Sequence, residues 1–326
     1  MSPGVLLVTE RADLAADLLV LRLRQLNIRF WRFNFDEFPS RLTIAWSPGG
    51  GFQVHRNSVP FFCSRDVSSA WYRYTPDPQL ESFGFDSDTI NSVTVESRAF
   101  LEGILEGADW YWMNRPSAVL RARNKLLQLQ RAHDYGLAIP ETVVTNDPSA
   151  ARTTAGPWCN QSGLVAKAVV GGKILRGEQA YGLFTQPLSF DQLDDDTSIQ
   201  AAPSIFQRRI PRACDIRVTV IDSTVSATEV RSRRPVAAPV DWRLADSSEI
   251  TYHPHALPRE VEVASCDLVR GFGLVFGALD FILTPDGTYV FLELNPSGQW
   301  GWLEAATNQD ITGAIVHSLM AGGRIV

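Results

Sequence analysis

Two carboxylates lie close together in the last part of the sequence, on either side of a turn. Asp280 lies in an apolar run that ends at Pro285-Asp286-Gly287, and Glu293 lies in the apolar run that follows. Asp-Gly between two such runs is a strong signal for a β-hairpin. A two-residue loop at Asp286 and Gly287 would, counting outward, place Asp280 directly opposite Glu293.

One face of this hairpin predicts a metal site. Side chains alternate between the two faces of a strand, so Asn295 shares the face of Glu293. Three oxygen ligands favour a hard cation, Mg²⁺ rather than Zn²⁺, held partly by nucleotide phosphates. A solvated face is the alternative, and a slip of one residue would separate the carboxylates. Leu292 and Leu294 on the other face, and the Gly/Pro/Asn loop that follows, favour the metal site.

A lysine inside an apolar strand indicates an anion site in the middle of the chain. Lys167 lies in the run at residues 164–169, and Gly171 and Gly172 follow it. A buried lysine costs free energy unless it meets an anion, and glycines let backbone N–H groups approach phosphate oxygens. Together they predict a phosphate grip that does not follow the Walker pattern. The alternative is an edge lysine whose ammonium group reaches water.

An alternating strand at residues 215–220 offers two charged groups to a cleft. Asp215, Arg217 and Thr219 share one face, and apolar residues occupy the other, which predicts a half-buried strand. A surface ion pair between Asp215 and Arg217 is the alternative.

Arginines are concentrated around this strand. Residues 207–234 contain seven arginines and three acids, a local balance of +4 in a chain of net charge −6. This asymmetry predicts an anionic partner, an acidic peptide rather than a nucleic acid, because the patch is small and has no stacking motif. The candidate peptide-binding residues are Arg231, Arg233 and Arg234. A solvated loop is the alternative for them.

Length and composition describe a globular protein of two or three domains. The chain has 326 residues, 45% of them hydrophobic and 20% charged. No apolar run reaches the length of a membrane span, and charges near the start argue against a signal peptide. We therefore expect a cytoplasmic protein that binds neither nucleic acid nor membrane. Four cysteines without a CxxC pair favour buried free thiols over a zinc site.

The opening of the chain predicts a parallel open sheet. A strand at residues 5–9, a helix at 13–25 and a second strand at 28–33 give a strand–helix–strand pattern. No GxGxxG follows the first strand, so the usual dinucleotide fingerprint is absent. The later elements that we predict are one helix at 117–135, strands at 139–145 and 164–169, a loop at 253–255, and helices at 261–270 and 312–320.

The hairpin and its ending, FLELNPSGQW, resemble the ATP-grasp ligases. The Gly-Gln-Trp ending resembles the branch that matures ribosomal peptides, the microviridin-type or graspetide macrocyclases. Within the first third of the chain, SAWYRY at residues 69–74 resembles a Trp-Tyr-Arg segment of that branch, and WYWMNRP at 110–116 resembles the end of its N-terminal domain. We use these two segments only for the domain boundary, and we expect their aromatic residues to pack in the core or between domains.

The resemblance implies an α/β ATP-grasp fold in three parts. These are an N-terminal open-sheet domain (residues 1–115), a central subdomain (116–203) and a C-terminal subdomain with the metal hairpin (204–326). Lys125 and Lys167 are implied to reach nucleotide phosphates, beneath a mobile loop at residues 171–182. The hinge is implied to offer main chain to adenine, with Asp215 near the ribose and Arg217 facing the reacting acyl phosphate. The hinge residues are Gln207, Arg208, Arg209 and Ile210.

One hinge position departs from the family pattern, because many relatives have Glu where this chain has Arg208. That departure puts a side-chain role for Arg208 in doubt and leaves main-chain recognition open.

The implied activity is that of an ATP- and Mg²⁺-dependent ligase acting on a ribosomal precursor peptide with a leader and a core. It would phosphorylate Asp or Glu side chains and close rings by attack of Ser or Thr hydroxyls, which gives esters. Two alternatives stay open: a ligase for free amino acids or small peptides, and a nucleotide-binding regulator without turnover. A second copy of the chain, in a homodimer, is a further candidate partner.

Overall fold

A computed structural model describes residues 3–73, 75–170, 173–176, 179–182, 185–233 and 246–323. The strands of this part of the chain are β1 (Gly4–Thr9), β2 (Phe30–Asn34), β3 (Leu42–Ser47), β4 (Gly51–Arg56), β5 (Val59–Cys63), β6 (Val67–Tyr72), β7 (Tyr111–Met113), β8 (Thr142–Thr145), β9 (Leu164–Ala168), β10 (Lys173–Arg176), β11 (Gln179–Gly182), β12 (Gln186–Leu188), β13 (Ser204–Arg208), β14 (Cys214–Ile221), β15 (Thr224–Ser232), β16 (Ile250–His255), β17 (Phe276–Leu283) and β18 (Tyr289–Asn295). The α-helices are α1 (Leu14–Gln25), α2 (Ser87–Glu106), α3 (Pro116–Ala122), α4 (Lys125–Asp134), α5 (Pro148–Ala150), α6 (Gly156–Cys159), α7 (Asp196–Ala201), α8 (Arg259–Gly271), α9 (Gly301–Thr307) and α10 (Ile311–Gly322).

The N-terminal sheet has the order β2-β1-β6-β7, and all three of its pairings are parallel. The crossover helix α1 turns Ala15, Ala16, Leu19 and Leu23 toward the interior. The predicted parallel open sheet is confirmed. An antiparallel meander of β3, β4 and β5 lies between β2 and β6 in the chain, and the sequence analysis did not anticipate it.

The helix predicted at residues 117–135 is two helices, so that prediction is wrong. Asn124 separates α3 from α4 and accepts hydrogen bonds from the N–H groups of Leu126 and Leu127. An asparagine in this position is a strong N-cap, and it starts a new helix. As a result Lys125 is the first residue of α4.

The central sheet is antiparallel, in the order β12-β9-β13-β8. Strands β8 and β9 fall within the predicted strands. The stretch predicted as a mobile loop contains the β10–β11 hairpin, while Gly171 and Gly172 lie outside the described residues. A small apolar cluster belongs to this region, formed by Ala151, Ala155, Trp158, Leu164, Leu193, Ile199 and Phe206.

The C-terminal sheet is antiparallel, in the order β16-β15-β14-β17-β18. The strand predicted at residues 215–220 is confirmed as β14, but its predicted half-burial is wrong, because every residue of β14 is buried at the centre of this sheet. The loop predicted at residues 253–255 is also wrong, since these residues pair with β15 as part of β16. The predicted helices at 261–270 and 312–320 are confirmed as α8 and α10.

The largest apolar core contains residues of both the N-terminal and the C-terminal sheet. It includes Leu6 of the N-terminal sheet, Val119 and Leu129 of α3 and α4, and Val218 and Phe281 of the C-terminal sheet. Helices α3 and α4 therefore pack with this shared core rather than within the small central cluster. The domain division at residues 116 and 204 stays a prediction. No described helix is long and apolar enough to cross a membrane. The four cysteines are free thiols as predicted, but only Cys214 is buried, so the prediction that all four are buried is wrong.

Candidate active site

The β17–β18 hairpin places Asp280 directly opposite Glu293. The predicted pairing is confirmed, but the predicted two-residue loop is wrong. Thr284 and Thr288 close a loop of three residues, in which Gly287 has a φ of +89°. A glycine in this left-handed conformation is typical of three-residue hairpin loops.

A β-bulge restores the predicted register. Phe281 pairs with Phe291, whereas Asp280 pairs with Glu293, so Leu292 is an extra residue on β18. The additional loop residue and the bulge cancel each other, because each shifts the pairing by one position. The two carboxylates meet on one face as a result of both deviations.

A buried ion pair links this hairpin to the central strand of the sheet. Arg217 lies opposite Asp280 in the β14–β17 pairing, and its Nη1 lies 2.8 Å from both carboxylate oxygens. The side chains of Arg217 and Asp280 are 9% and 15% exposed. Among the described residues, Nε of Arg217 is buried and has no hydrogen-bond partner. This N–H is therefore suited to an acceptor on a ligand.

The loop after β18 lies tightly against this pair. A Cβ atom on Gly298 would come within 2.4 Å of the Cβ of Ala278 and within 2.8 Å of Nη2 of Arg217. Only a glycine allows the backbone to approach so closely. Asn295 begins the loop, and its Oδ1 accepts a hydrogen bond from the N–H of Ser297 at 3.0 Å.

The same loop meets a buried ion pair from the N-terminal domain that sequence reasoning missed. Nε of Arg73 lies 2.7 Å from Asp13, and both side chains are fully buried. Gln299 donates to Asp13 at 3.2 Å, and the hydroxyl of Ser297 donates to the Arg73 carbonyl oxygen at 2.8 Å. The guanidinium of Arg73 also lies 4.7 Å from the ring centroid of Trp300.

The electrostatics of this pair keep Asp13 charged. Burial by itself raises the pKa of Asp13, but the charge of Arg73 and hydrogen bonds from Arg73, Thr9 and Gln299 outweigh it, so the pKa is lowered. The sequence signal was an arginine at the end of an apolar strand. Its proximity to the Gly-Gln-Trp ending could be seen only in the folded chain. Trp71 and Trp300 stack with centroids 5.2 Å apart, which agrees with the expectation that these aromatic residues pack between domains.

The two predicted phosphate lysines lie at the same end of β9. Nζ of Lys125 donates to the Ala168 carbonyl oxygen at 3.3 Å, one residue from Lys167 in the chain. Lys167 itself lies opposite Ile205 of β13 and is partly buried. The fold thus brings together two lysines that are far apart in sequence.

The hinge residues lie where β13 of the central sheet leads into β14 of the C-terminal sheet. The side-chain amide of Gln207 donates to Thr142 at 3.0 Å. The N–H of Arg208 donates to the Glu141 carbonyl oxygen at 3.0 Å, and that of Arg209 donates to the Gly163 carbonyl oxygen at 2.8 Å. Both N–H groups therefore form hydrogen bonds within the protein.

The remaining arginines of the basic patch divide between the two faces of the sheet. Asp215 pairs with Arg212 at 3.4 Å, so the predicted alternative of an Asp215–Arg217 surface pair is wrong. Arg231 pairs with Glu229, which lies opposite Ile216 and hence on the face away from Arg217. Arg233 donates its backbone N–H to Glu249 at 2.8 Å, and Arg234 lies outside the described residues.

The donor set at the hairpin fits a hard cation. Asp280, Glu293 and Asn295 offer only oxygen, the ligand type that Mg²⁺ prefers. In the described part of the chain, no three His, Cys, Asp or Glu side chains are grouped as a metal site. A cation at the hairpin would therefore need further oxygen ligands from nucleotide phosphates and water.

Comparison with known proteins gives no match to a family model and none to a curated protein, but it gives extensive matches to solved structures. The macrocyclase MdnC of Microcystis aeruginosa MRC, solved with its precursor peptide MdnA, is 28% identical over 98% of this chain and 99% of its own, with a TM-score of 0.87. A RiPP-associated ATP-grasp ligase of Chryseobacterium gregarium, solved with ADP and a leader and core peptide, is 27% identical over 98% and 97%, with a TM-score of 0.86. Macrocyclase MdnB of M. aeruginosa MRC is 29% identical over 98% and 100%, with a TM-score of 0.80.

The sheets and the hairpin agree with these matches, and the chain has the ATP-grasp fold. Among proteins of this fold, it is similar to peptide macrocyclases and to a RiPP-associated ligase.

Proposed function

We propose that this protein uses ATP and Mg²⁺ to activate Asp or Glu side chains of a ribosomal precursor peptide and to close macrocycles within that peptide. One observation carries the proposal: two opposed carboxylates and a buried arginine converge on one sheet face in a chain that matches peptide macrocyclases over nearly its full length. The alternatives, a ligase for free amino acids and a regulator without turnover, become outcomes of the experiment below.

In this proposal the nucleotide lies between the central and C-terminal sheets. Main chain of the hinge at Gln207–Ile210 would contact adenine, and Asp215 would lie near the ribose. Lys125 and Lys167 would neutralise phosphate charge, and Gly171 and Gly172 would let the backbone approach phosphate oxygens. Asp280, Glu293 and Asn295 would hold Mg²⁺, which supplies charge stabilisation between phosphate oxygens when it is bound.

The first step transfers the γ-phosphoryl group from ATP to a carboxylate oxygen of the peptide. The bond between this phosphorus and the bridging oxygen breaks, and ADP leaves with the electron pair. Arg217 is assigned to the equatorial oxygens, where charge is spread in the transition state. Its Nη1 is held by Asp280 at 2.8 Å, and its buried Nε remains for the acyl phosphate.

The second step forms the ring. A hydroxyl of Ser or Thr attacks the acyl carbon, the carbon–oxygen bond to phosphate breaks, and phosphate leaves with the electron pair while the hydroxyl proton passes to a base. Each ring thus removes one water from the peptide. An acyl phosphate accepts a hydroxyl readily, so we assign an ester, and a lysine nucleophile would give an amide by the same route.

The test is incubation with ATP, Mg²⁺ and each peptide encoded beside the gene, followed by mass measurement. We expect peptide-dependent release of ADP and a mass decrease of one water per ring. If the rings are esters, mild base should then restore the mass of the linear peptide, and hydroxylamine should open the same rings as hydroxamates. Rings that survive both treatments would be amides. Stimulation by free amino acids instead of peptides would overturn the peptide assignment, and nucleotide binding without turnover would overturn the ligase itself.

A matched pair of variants controls for the hairpin. Glu293→Gln removes a proposed metal ligand, whereas Asp286→Asn removes a carboxylate from the exposed loop of the same hairpin. Ring formation should be lost only in the first variant.

A further inference from the structure

The strand that carries two of the proposed metal ligands lies at the edge of its sheet. Among the described strands β18 pairs with β17 alone, and a strand in this position leaves half of its backbone groups without a partner from the sheet. The N–H of Phe291 donates across the open edge to the Ala138 carbonyl oxygen at 2.8 Å. Closer to the metal ligands, side chains rather than main chain cover the edge.

Gln128 of α4 covers the edge at Leu294. Its Nε2 donates to the Leu294 carbonyl oxygen at 2.7 Å, and its Oε1 accepts from the Leu294 N–H at 2.9 Å. Nε2 also donates to the Ala122 carbonyl oxygen at 2.6 Å, and the residue is 3% exposed. The amide of Gln128 thus pairs with Leu294 as the backbone of a neighbouring strand would.

Asn114 holds the other side of the same short segment. Its Nδ2 donates to the carbonyl oxygens of Pro296 at 2.7 Å and Phe276 at 2.8 Å. Its Oδ1 accepts from the N–H groups of Val275 at 2.9 Å and Phe276 at 3.0 Å. All four hydrogen-bonding positions of this fully buried amide are used. Asn114 therefore joins the start of β17 to the loop after β18.

We infer that Gln128 and Asn114 are positioning residues for the metal ligand Asn295. The main chain of its two neighbours, Leu294 and Pro296, is fixed by these two amides, and Glu293 is the next residue before Leu294. Neither amide contacts the proposed cation, so both act through the backbone that aims the ligands. Such outer partners commonly change metal affinity by about 10- to 100-fold when they are removed. The inference rests on the proposed function, since it takes the hairpin as the metal site.

The test measures metal binding rather than turnover. Mn²⁺ serves as the probe, and its affinity for the protein saturated with a non-hydrolysable ATP analogue is followed by electron paramagnetic resonance of free Mn²⁺. Gln128→Met removes all three hydrogen bonds at similar volume, and Asn114→Gly removes four while suiting the backbone, which has a φ of +61°. We expect each variant to weaken Mn²⁺ binding by about 10-fold or more.

Two further variants separate positioning from general destabilisation. Leu193→Ala opens a cavity in the small central apolar cluster, which is separate from the core that contains the hairpin, and should lower the Tm while leaving Mn²⁺ affinity within about twofold. Gln128→Asn keeps an amide with a shorter reach, and should fold well and bind Mn²⁺ with intermediate affinity.

The results distinguish the two proposals. If Gln128→Met and Asn114→Gly lower the Tm but leave Mn²⁺ affinity unchanged from that of the wild type, the positioning role is overturned and the proposed function stands. A wild-type protein that binds the analogue but takes up no Mn²⁺ would overturn the metal site itself.

Discussion

The hairpin that carries Asp280 and Glu293 and the strand that carries Lys167 face the same nucleotide in our proposal, yet they are held differently. The hairpin packs in the core shared by the N-terminal and C-terminal sheets. The loop after β18 contacts residues that lie far away in sequence. The strand of Lys167 lies in a sheet with its own cluster of seven apolar residues. The metal end should therefore be sensitive to distant substitutions, whereas the phosphate end should respond mainly to local ones.

The largest effect is expected at the metal end. Glu293→Gln should reduce peptide-dependent ADP release by on the order of 100-fold or more, because the change removes ligand charge at nearly constant shape. Circular dichroism and Tm should remain close to those of the wild type. Near-normal turnover in this variant would remove Glu293 from the metal site.

Asp280→Asn should lose activity to the same extent but should also destabilise the fold. Arg217 would be left buried without its countercharge, and breaking a buried pair costs about 3–5 kcal/mol. A lower Tm for Asp280→Asn than for Glu293→Gln is therefore expected in thermal unfolding.

At the phosphate end, Lys167→Met should weaken nucleotide binding by about 10-fold, which corresponds to the loss of one charge-assisted contact. Peptide affinity should change much less, because the lysine is assigned to phosphate alone. Calorimetry with ATP analogue and with peptide separates the two, and equal losses would indicate a structural role for Lys167.

Gly298→Ala tests how tightly the loop is packed at the metal end. The added Cβ would lie 2.4 Å from the Cβ of Ala278 and 2.8 Å from Nη2 of Arg217, so the loop or the arginine must shift. We expect kcat to fall by about 10-fold and the Tm to fall by about 2–4 °C. Adding Ala278→Gly should recover part of the stability, and a double variant no more stable than Gly298→Ala would show that the loop moves elsewhere.

Acid should weaken the contact between Asp13 and the loop after β18. The pKa of Asp13 is lowered in the folded protein from its ordinary value of 3.8. The stability that this shift contributes is therefore fully present above pH 3.8 and is lost as the pH falls through the lowered pKa. Below pH 3.8 the Tm of the wild type should fall more steeply with pH than that of Asp13→Asn, and parallel profiles would contradict this assignment.

The smallest effect is expected at the hinge. Arg208 pairs with Glu141, and these side chains are 40% and 57% exposed, so the pair should contribute at most about 1 kcal/mol. Arg208→Ala should change the KM for ATP by less than about threefold, because recognition there is assigned to main chain. A larger change would give the side chain a direct role at the nucleotide.

The sequence predicted the pairing of Asp280 with Glu293 for a partly wrong reason. Local turn rules gave a two-residue loop, and the extra loop residue was compensated by the bulge at Leu292. Bulges depend on how a strand packs in the finished sheet, so sequence patterns detect them poorly. The parallel N-terminal sheet and the helices near the C-terminus were easier, because their apolar periodicity is strong.

The contacts that hold the end of β18 and the loop after it could not be predicted, because they join residues that meet only in the folded chain. Gln128 is a polar residue on the buried face of α4, beside Leu129 and Ala132. A buried polar side chain needs hydrogen-bond partners, so this position was a detectable signal whose partner was unknown. The same applies to Arg73 at the end of an apolar strand. The helix break at Asn124 was a recognisable N-cap that the periodicity of the surrounding residues concealed.

The contact between Asp13 and Gln299 has a consequence for the order of folding. Its two residues are separated by 286 positions, and contacts of such long range form late, because the closure of a large loop must come first. During synthesis the parallel N-terminal sheet can assemble before the C-terminal sheet has been made. Asp13 can bind Gln299 only after that later part of the chain is present. A chain that begins at residue 116 would lose the N-terminal partners of Ser297, Gln299 and Trp300 together with much of the shared core, and we expect it to form no ordered loop after β18.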